Sequence, residues 1–87
     1  MKIKEGFILS NVAGQNVVVA VGKMAKLFNG CIKLNPTSAL LWKKLENGAS
    51  EEDLVDVLTN EYEVDLEQAK KDVKEFVEKL QNAGFIE

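Results

Sequence analysis

The sequence contains no histidine and no arginine, and all 11 of its basic residues are lysine. Its single cysteine, Cys31, has neither a second thiol in the chain nor an imidazole to activate it. These absences exclude a His-dependent acid–base mechanism, a Cys/His dyad and a Cys₂His₂ zinc site. Without arginine the chain also lacks the side chain best suited to phosphate clamps and guanine readout. We therefore expect a binding protein with no catalytic residues, no metal site and no cofactor.

Long hydrophobic runs are also missing. No apolar segment approaches the length of a membrane span, about 18 residues, and the start MKIKEG lacks the apolar region of a signal peptide. A lone cysteine suits a reducing compartment, so we expect a cytoplasmic protein with no membrane partner. The 87 residues are 46% apolar and 29% charged, which predicts one globular domain over residues 1–87.

Charge is divided unevenly along the chain. Residues 1–48 carry seven lysines against two acids, a net charge of +5, whereas residues 49–87 carry four lysines against twelve acids, a net charge of −8. A partner could recognise either half of such a dipolar surface. One hypothesis is therefore a scaffold that binds a folded partner through the acidic C-terminal half.

The first third of the sequence has the pattern of β-strands. Residues 6–12 are β-rich and are followed by a turn-forming stretch at 13–16. Residues 17–21, Val-Val-Val-Ala-Val, are apolar at every position, which is typical of a central strand covered on both faces. The two segments predict a β-hairpin.

A third, shorter strand is predicted at 31–34. The connection at 22–30 has room for one helical turn and contains the turn signal Asn29-Gly30. In the third strand Ile32 and Leu34 are expected on one face, with Cys31 and Lys33 on the other. We expect the Cys31 side chain to be a small buried hydrophobic group rather than a nucleophile.

The remaining residues predict three helices. Asn35-Pro36 supplies an N-cap and a first helical residue. Ser50 with Asp53, and Asp65 with Gln68, match the spacing of capping boxes that start the second and third helices. The apolar residues expected to face the core are Ala39, Leu40, Leu41, Trp42 and Leu45 in the first helix, Leu54, Val55, Leu58 and Tyr62 in the second, Ala69, Val73, Phe76, Val77 and Leu80 in the third, and then Phe85 and Ile86 in a tail that folds back.

This order of elements predicts an α+β fold, in which three helices follow a three-stranded antiparallel sheet and cover one of its faces. A helix pair at 51–62 and 66–82 beside a small sheet is also typical of a winged helix-turn-helix, which would bind DNA through its last helix. All five charged residues of 51–62 are acidic, however, and phosphate binding needs a positive surface. A nucleic-acid-binding protein therefore remains the alternative, and we expect no nucleic-acid partner.

The strand at 31–34 is expected to be an edge of the sheet, as is the first strand. An edge strand exposes unpaired N–H and C=O groups to which a peptide can add as another strand. The short length of this strand and the charge of Lys33 could equally prevent other chains from pairing with the edge. The apolar stripe of the last helix can likewise belong wholly to the core or lie partly in a groove.

Several segments together resemble the PqqD-like family, over nearly the whole chain from Gly6 to Ile86. Each motif alone is a common cap, stop or apolar spacing, and the specificity lies in their order. The segments that carry the resemblance are Phe28-Asn29-Gly30-Cys31-Ile32-Lys33-Leu34-Asn35, Leu41-Trp42-Lys43-Lys44-Leu45-Glu46-Asn47-Gly48-Ala49-Ser50, Tyr62-Glu63-Val64-Asp65, Asp72-Val73-Lys74-Glu75-Phe76-Val77-Glu78-Lys79-Leu80 and Ala83-Gly84-Phe85-Ile86.

The resemblance implies a winged-helix-like domain that recognises ribosomally made, post-translationally modified peptides. It implies a non-catalytic protein that binds the leader segment of a precursor peptide as a strand added to the third strand, against the third helix. The precursor would then be presented to a modifying enzyme, often a radical S-adenosylmethionine (SAM) enzyme. Carried over by position, the implied peptide-binding residues are Cys31, Ile32, Lys33 and Leu34 in the strand, with Ala69, Lys70, Val73, Phe76, Val77 and Leu80 in the helix.

Overall fold

A computed structural model describes residues 1–27 and 31–87. The elements follow in the order β1 (Phe7–Val12), β2 (Gln15–Ala20), α1 (Met24–Leu27), β3 (Cys31–Leu34), α2 (Pro36–Glu46), α3 (Glu51–Glu61) and α4 (Leu66–Ala83). The three strands form one antiparallel sheet with β2 in the centre. The predicted α+β class is confirmed. The turn expected at 29–30 and the side-chain burial expected for Cys31 lie outside what the structure describes.

The first hairpin turns more tightly than the sequence suggested. Its loop is only Ala13 and Gly14, which have φ angles of 52° and 82°, and β2 consequently starts at Gln15, two residues earlier than predicted. Two consecutive residues with positive φ give the turn whose twist matches that of the flanking strands. This loop fixes the register, in which Val12 faces Gln15 and Phe7 faces Ala20.

Local signals start and end the long helices. The Asn35 side chain accepts a hydrogen bond from the Ser38 N–H at 2.7 Å at the start of α2. At the start of α3, Ser50 and Asp53 form the predicted capping box, in which each side chain accepts from the other's backbone N–H. Those bonds to Ser50 hold the pKa of the Asp53 carboxyl below its usual value, the backbone bond being the larger cause.

Two expectations about the helix ends are wrong. Asp65 stands at the N-cap of α4 but makes no side-chain capping bond, and the Gln68 amide donates to Asp72, one turn further on, at 2.9 Å. Tyr62 was expected in the core, but α3 stops at Glu61 and Tyr62 has extended backbone angles. The helical spacing therefore no longer applies to Tyr62, whose side chain is 39% exposed.

The core lies between one face of the sheet and the helices α2, α3 and α4. Trp42, Leu45 and Leu54 are fully buried there. Gly84 ends α4 in the left-handed region, and the Phe85 N–H then bonds to the Leu80 carbonyl at 2.9 Å. This turn folds the tail back as predicted, and the buried residues that join its core cluster include Phe7, Phe85 and Ile86.

The two chain ends also meet, which the sequence analysis did not foresee. Ile3 and Ile86 form an isolated antiparallel bridge, and both side chains are buried. The Lys4 N–H bonds to the Phe85 carbonyl at 2.9 Å. Residues so distant in sequence carry no local signal of their pairing. The two segments meet because the tail is buried against the core.

Candidate functional site

The direction in which β3 turns its backbone groups follows from the hydrogen bonds of the first hairpin. The Val21 N–H donates to the Gly6 carbonyl at 2.8 Å, so these two residues form a hydrogen-bonded pair. Such pairs recur at every second position of an antiparallel ladder, and the register carries them on to Ser10 and Val17. Val17 therefore directs its N–H and C=O towards β1, and the next residue, Val18, directs them towards β3.

On β3 the same alternation leaves Lys33 facing outward. Val18 faces Ile32 across the sheet, so Ile32 uses its N–H and C=O in the ladder with β2. Its neighbour Lys33 must point its own N–H and C=O the other way, towards the outer edge of the three-stranded sheet. The register thus settles which backbone groups of the third strand are open to an added strand.

The Ile32 and Leu34 side chains form one wall of a groove. Leu34 packs against the core, whereas Ile32, on the same face of the sheet, is 42% exposed. The opposite wall is the C-terminal half of α4, and the space between them measures about 330 Å³. The groove is lined by Ile32, Lys33, Leu34, Asn35, Ser38, Phe76, Lys79, Leu80, Ala83 and Phe85.

A second cleft of about 370 Å³ adjoins this groove at the start of α2, and the two share Asn35, Ser38, Phe76 and Lys79. The second cleft adds the acidic side chains Asp72 and Glu75. Together they form a path that is mainly apolar beside the end of α4 and charged beside the start of α2. We call this combined space the β3–α4 groove.

The structure brings together half of the residues implied by the resemblance. Ile32, Lys33, Leu34, Phe76 and Leu80 line the β3–α4 groove. The Cys31 backbone pairs with Val19 at the start of β3.

The other implied helix residues lie elsewhere. Lys70 and Val73 line a different cleft, between α3 and α4, while Ala69 and Val77 are buried in the core and line neither space. A helix stripe chosen by apolar character alone therefore mixes residues of the groove with residues that support it.

In the part of the groove between β3 and the end of α4, sequence reasoning missed two exposed helix residues, Lys79 and Ala83. Both follow Phe76 at helical spacing, at i+3 and i+7, and so lie on the side of the helix that Phe76 presents to the groove. A search for all residue types along that side would have found them. A search restricted to large apolar residues could not, because a groove wall is partly open to water.

The described parts of the chain contain neither a metal-binding cluster nor a membrane-spanning helix. Among residues 1–27 and 31–87, no three His, Cys, Asp or Glu side chains are grouped so as to hold a metal ion. Over the same residues, none of the helices combines the length and the apolar character needed to cross a bilayer.

Residues 8–86 match the family described as coenzyme PQQ synthesis protein D (PqqD). The chain belongs to this family, as the resemblance indicated. A comparison with curated proteins finds no match.

Two solved structures share the fold over nearly the whole of both chains. One is described as TbiB1 in complex with the TbiA(beta) leader peptide. It is 24% identical, with a TM-score of 0.80, and the match covers 100% of this chain and 95% of that one. The other is a lasso peptide synthetase B1 complexed with the leader peptide, 26% identical, with a TM-score of 0.76 over 97% of this chain and 93% of that one.

Proposed function

We propose that this chain captures the leader segment of a ribosomally made precursor peptide and presents the precursor to a modifying enzyme. The leader adds to β3 as a fourth strand and lies in the β3–α4 groove. One coincidence carries the proposal. The Lys33 N–H and C=O point past the open edge of the sheet, and the neighbouring Ile32 side chain is half-exposed over the groove. An added strand would bond to the Lys33 N–H and C=O and would cover the Ile32 side chain.

The two kinds of contact have different effects on binding. Main-chain bonds to Lys33, and to the Cys31 backbone two residues earlier, supply affinity without regard to sequence. Every second side chain of the leader enters the groove, where Ile32, Leu34, Phe76 and Leu80 favour apolar residues and Lys79, Asp72 and Glu75 contribute charge. Of the remaining implied residues, Ala69, Val73 and Val77 belong to the same buried cluster as Phe76, and Lys70 lies outside the path.

The comparisons support this proposal through the two related structures, each of which is a complex with a leader peptide. The lasso peptide synthetase B1 is 26% identical over 97% of this chain, and its bound leader peptide supports the same role here.

We further propose that the chain is a single-domain, non-catalytic carrier that acts in the cytoplasm. We also propose that its enzyme partner is a radical SAM enzyme. The absence of histidine and the single cysteine in the sequence support the first point. The purified chain, mixed with the precursor alone, should leave the mass of the precursor unchanged. A mass change without a second enzyme would contradict a pure carrier role.

The test of leader binding compares two isoleucines on the same sheet. Ile32→Thr replaces an apolar side chain over the groove that is 42% exposed. Ile8→Thr replaces one that is 49% exposed on the opposite face of the sheet, in β1. Titration with a synthetic leader of the precursor encoded beside the chain should show affinity about tenfold weaker for Ile32→Thr, roughly 1.4 kcal/mol. The Ile8→Thr variant should bind as wild type does. Equal affinities for both variants would remove the β3–α4 groove from the proposal.

Amide NMR during the same titration separates the alternatives. Leader binding in the groove should shift amides at 31–34 and 76–83. Retention on duplex DNA that weakens steeply with salt would favour the winged-helix alternative. Shifts confined to the acidic α3 surface on addition of the enzyme would favour the scaffold.

A further inference from the structure

The face of the sheet that points away from the helices is unusually apolar. In β1 and β2, Phe7, Leu9, Val18 and Ala20 pack on the core side, so alternation places the intervening residues on the opposite side, here called the outer face. An antiparallel sheet with one face open to water normally carries polar residues there. The outer face instead carries Ile8, Val12, Val17 and Val19, with Ser10 and Gln15 as its polar members in these two strands.

Three apolar side chains on the outer face are open to solvent. Val12 is 57% exposed and Ile8 49%, and Val21, which continues the alternation beyond β2, is 38% exposed. Val17 is buried, although it does not belong to the core cluster. Single exposed apolar residues are ordinary, but several on one surface mark an interaction site.

Charge indicates what kind of surface the outer face would bind. The strands β1, β2 and β3 contain no acidic residue, and the exposed Lys33 stands on the outer face opposite Val17. The chain's acids lie mostly at 49–87, the part that forms α3 and α4. A second outer face would offer Lys33 no acidic residue to pair with, since none occurs in the three strands, and this favours a different partner over a second copy of the chain. The complementary partner has an apolar patch bordered by Asp and Glu.

We propose that the outer face docks the modifying enzyme through such an acid-bordered apolar patch. The identity of the partner rests on the proposed function, whereas the docking face rests on exposure and charge. A leader added to β3 extends the sheet by one strand, so its alternate side chains lie on the outer face beside Lys33. The enzyme therefore contacts carrier and leader together, and it engages the precursor without displacing it from the β3–α4 groove.

This arrangement couples the two binding events. Because leader and enzyme share a surface only in the full complex, the enzyme should bind the leader-loaded chain at least about fivefold more tightly than the free chain. The leader must gain the same factor from the enzyme, since coupling between two binding events is reciprocal. Independent sites would give equal affinities in both states.

The decisive variant is the double substitution Ile8→Thr with Val12→Thr. Threonine keeps the β-branch suited to strands and replaces exposed apolar surface with a hydroxyl. The matched control is Leu66→Thr at the start of α4, where the side chain is 55% exposed, close to the 57% of Val12. The probe is the purified modifying enzyme encoded with the precursor, immobilised and titrated with each variant, with and without leader.

We expect the double variant to lose at least about tenfold in enzyme affinity, to retain wild-type leader affinity, and to show no leader–enzyme coupling. The Leu66→Thr control should match wild type in all three measurements. Unchanged enzyme affinity in the double variant, or an equal loss in the control, overturns the proposal.

Two further measurements identify other occupants of the outer face. A wild-type dimer in sedimentation that the double variant abolishes would assign the face to a second copy and overturn the proposal. Binding to phosphatidylglycerol vesicles but not phosphatidylcholine vesicles, lost in the double variant, would assign it to a membrane and overturn it as well. If wild type fails to bind any leader, the proposed function fails, while enzyme binding to the leader-free chain still tests the docking face.

Discussion

Lys33 lies directly opposite Val17 in the sheet, and this pairing turns the Lys33 N–H and C=O away from β2. The orientation follows from the hydrogen bond between the Val21 N–H and the Gly6 carbonyl, four residues along the same ladder from Val17. A feature of the first hairpin thus determines which atoms of the third strand are available to a peptide.

The first prediction concerns proline at two neighbouring positions of β3. Lys33→Pro should leave the domain folded but abolish leader binding, because the lost N–H faced outward and edge strands tolerate such a loss. Ile32→Pro should instead damage the fold, since the Ile32 N–H belongs to the ladder with β2. Thermal melting reports the fold, and titration with the leader peptide reports binding.

A matched control lies on the other edge of the sheet. Asn11 is exposed on β1, and the same alternation turns its N–H outward, so Asn11→Pro should fold and still bind the leader. Loss of binding in Asn11→Pro with retention in Lys33→Pro would move peptide addition to the first strand.

The second prediction concerns Phe76, which lines the groove but is only 8% exposed. Phe76→Ala should lower the free energy of unfolding by about 3–5 kcal/mol, because a large buried ring is replaced by a cavity. Lys79→Ala, on the same wall but exposed, should stay within about 0.5 kcal/mol of wild type. Chemical denaturation measures both. A Phe76→Ala variant as stable as wild type would show that the ring belongs to the groove rather than the core.

The third prediction concerns Gly6, whose φ is +100° and whose missing Cβ would overlap the Met24 side chain. Gly6→Ala should destabilise the fold by more than about 1 kcal/mol, since backbone strain and the overlap add. Gly14 has a φ of +82° but open space around it, so Gly14→Ala should carry the strain alone. Equal losses in the two variants would show that Met24 moves aside at no cost.

The fourth prediction concerns pH and Asp53. Bonding to Ser50 lowers the pKa of Asp53 in the folded state below its ordinary value of 3.8. A carboxyl with a lowered folded pKa contributes stability that is fully present above its unfolded pKa and is lost as pH falls through the folded value. The stability difference between wild type and Asp53→Asn should therefore be constant near neutral pH and shrink below about pH 4. Unfolding curves at several pH values measure it, and a difference that grows on acidification would contradict the assignment.

Much of the fold is predictable from the sequence because its signals are local. Asn35-Pro36, Ser50 with Asp53, and Gly84 act within one turn of the chain, and each starts or ends a helix where the sequence indicates. The apolar spacing of α4 likewise gives a stripe that is buried at all five predicted positions. Where a local signal failed, as at Tyr62, the helix had stopped one residue earlier and the spacing no longer applied.

The site needed the tertiary structure, because a groove is made by elements that are distant in sequence. The sequence could name β1 and β3 as edges but not say which one stands beside a helix, nor which N–H groups point outward, since a shift of one residue reverses every direction. It could not separate Phe76 and Leu80, which line the groove, from Ala69 and Val77, which lie behind it. The sequence alone determined the order of the helices and most of the core, and the packing of α4 near β3 decided which edge strand has a groove beside it.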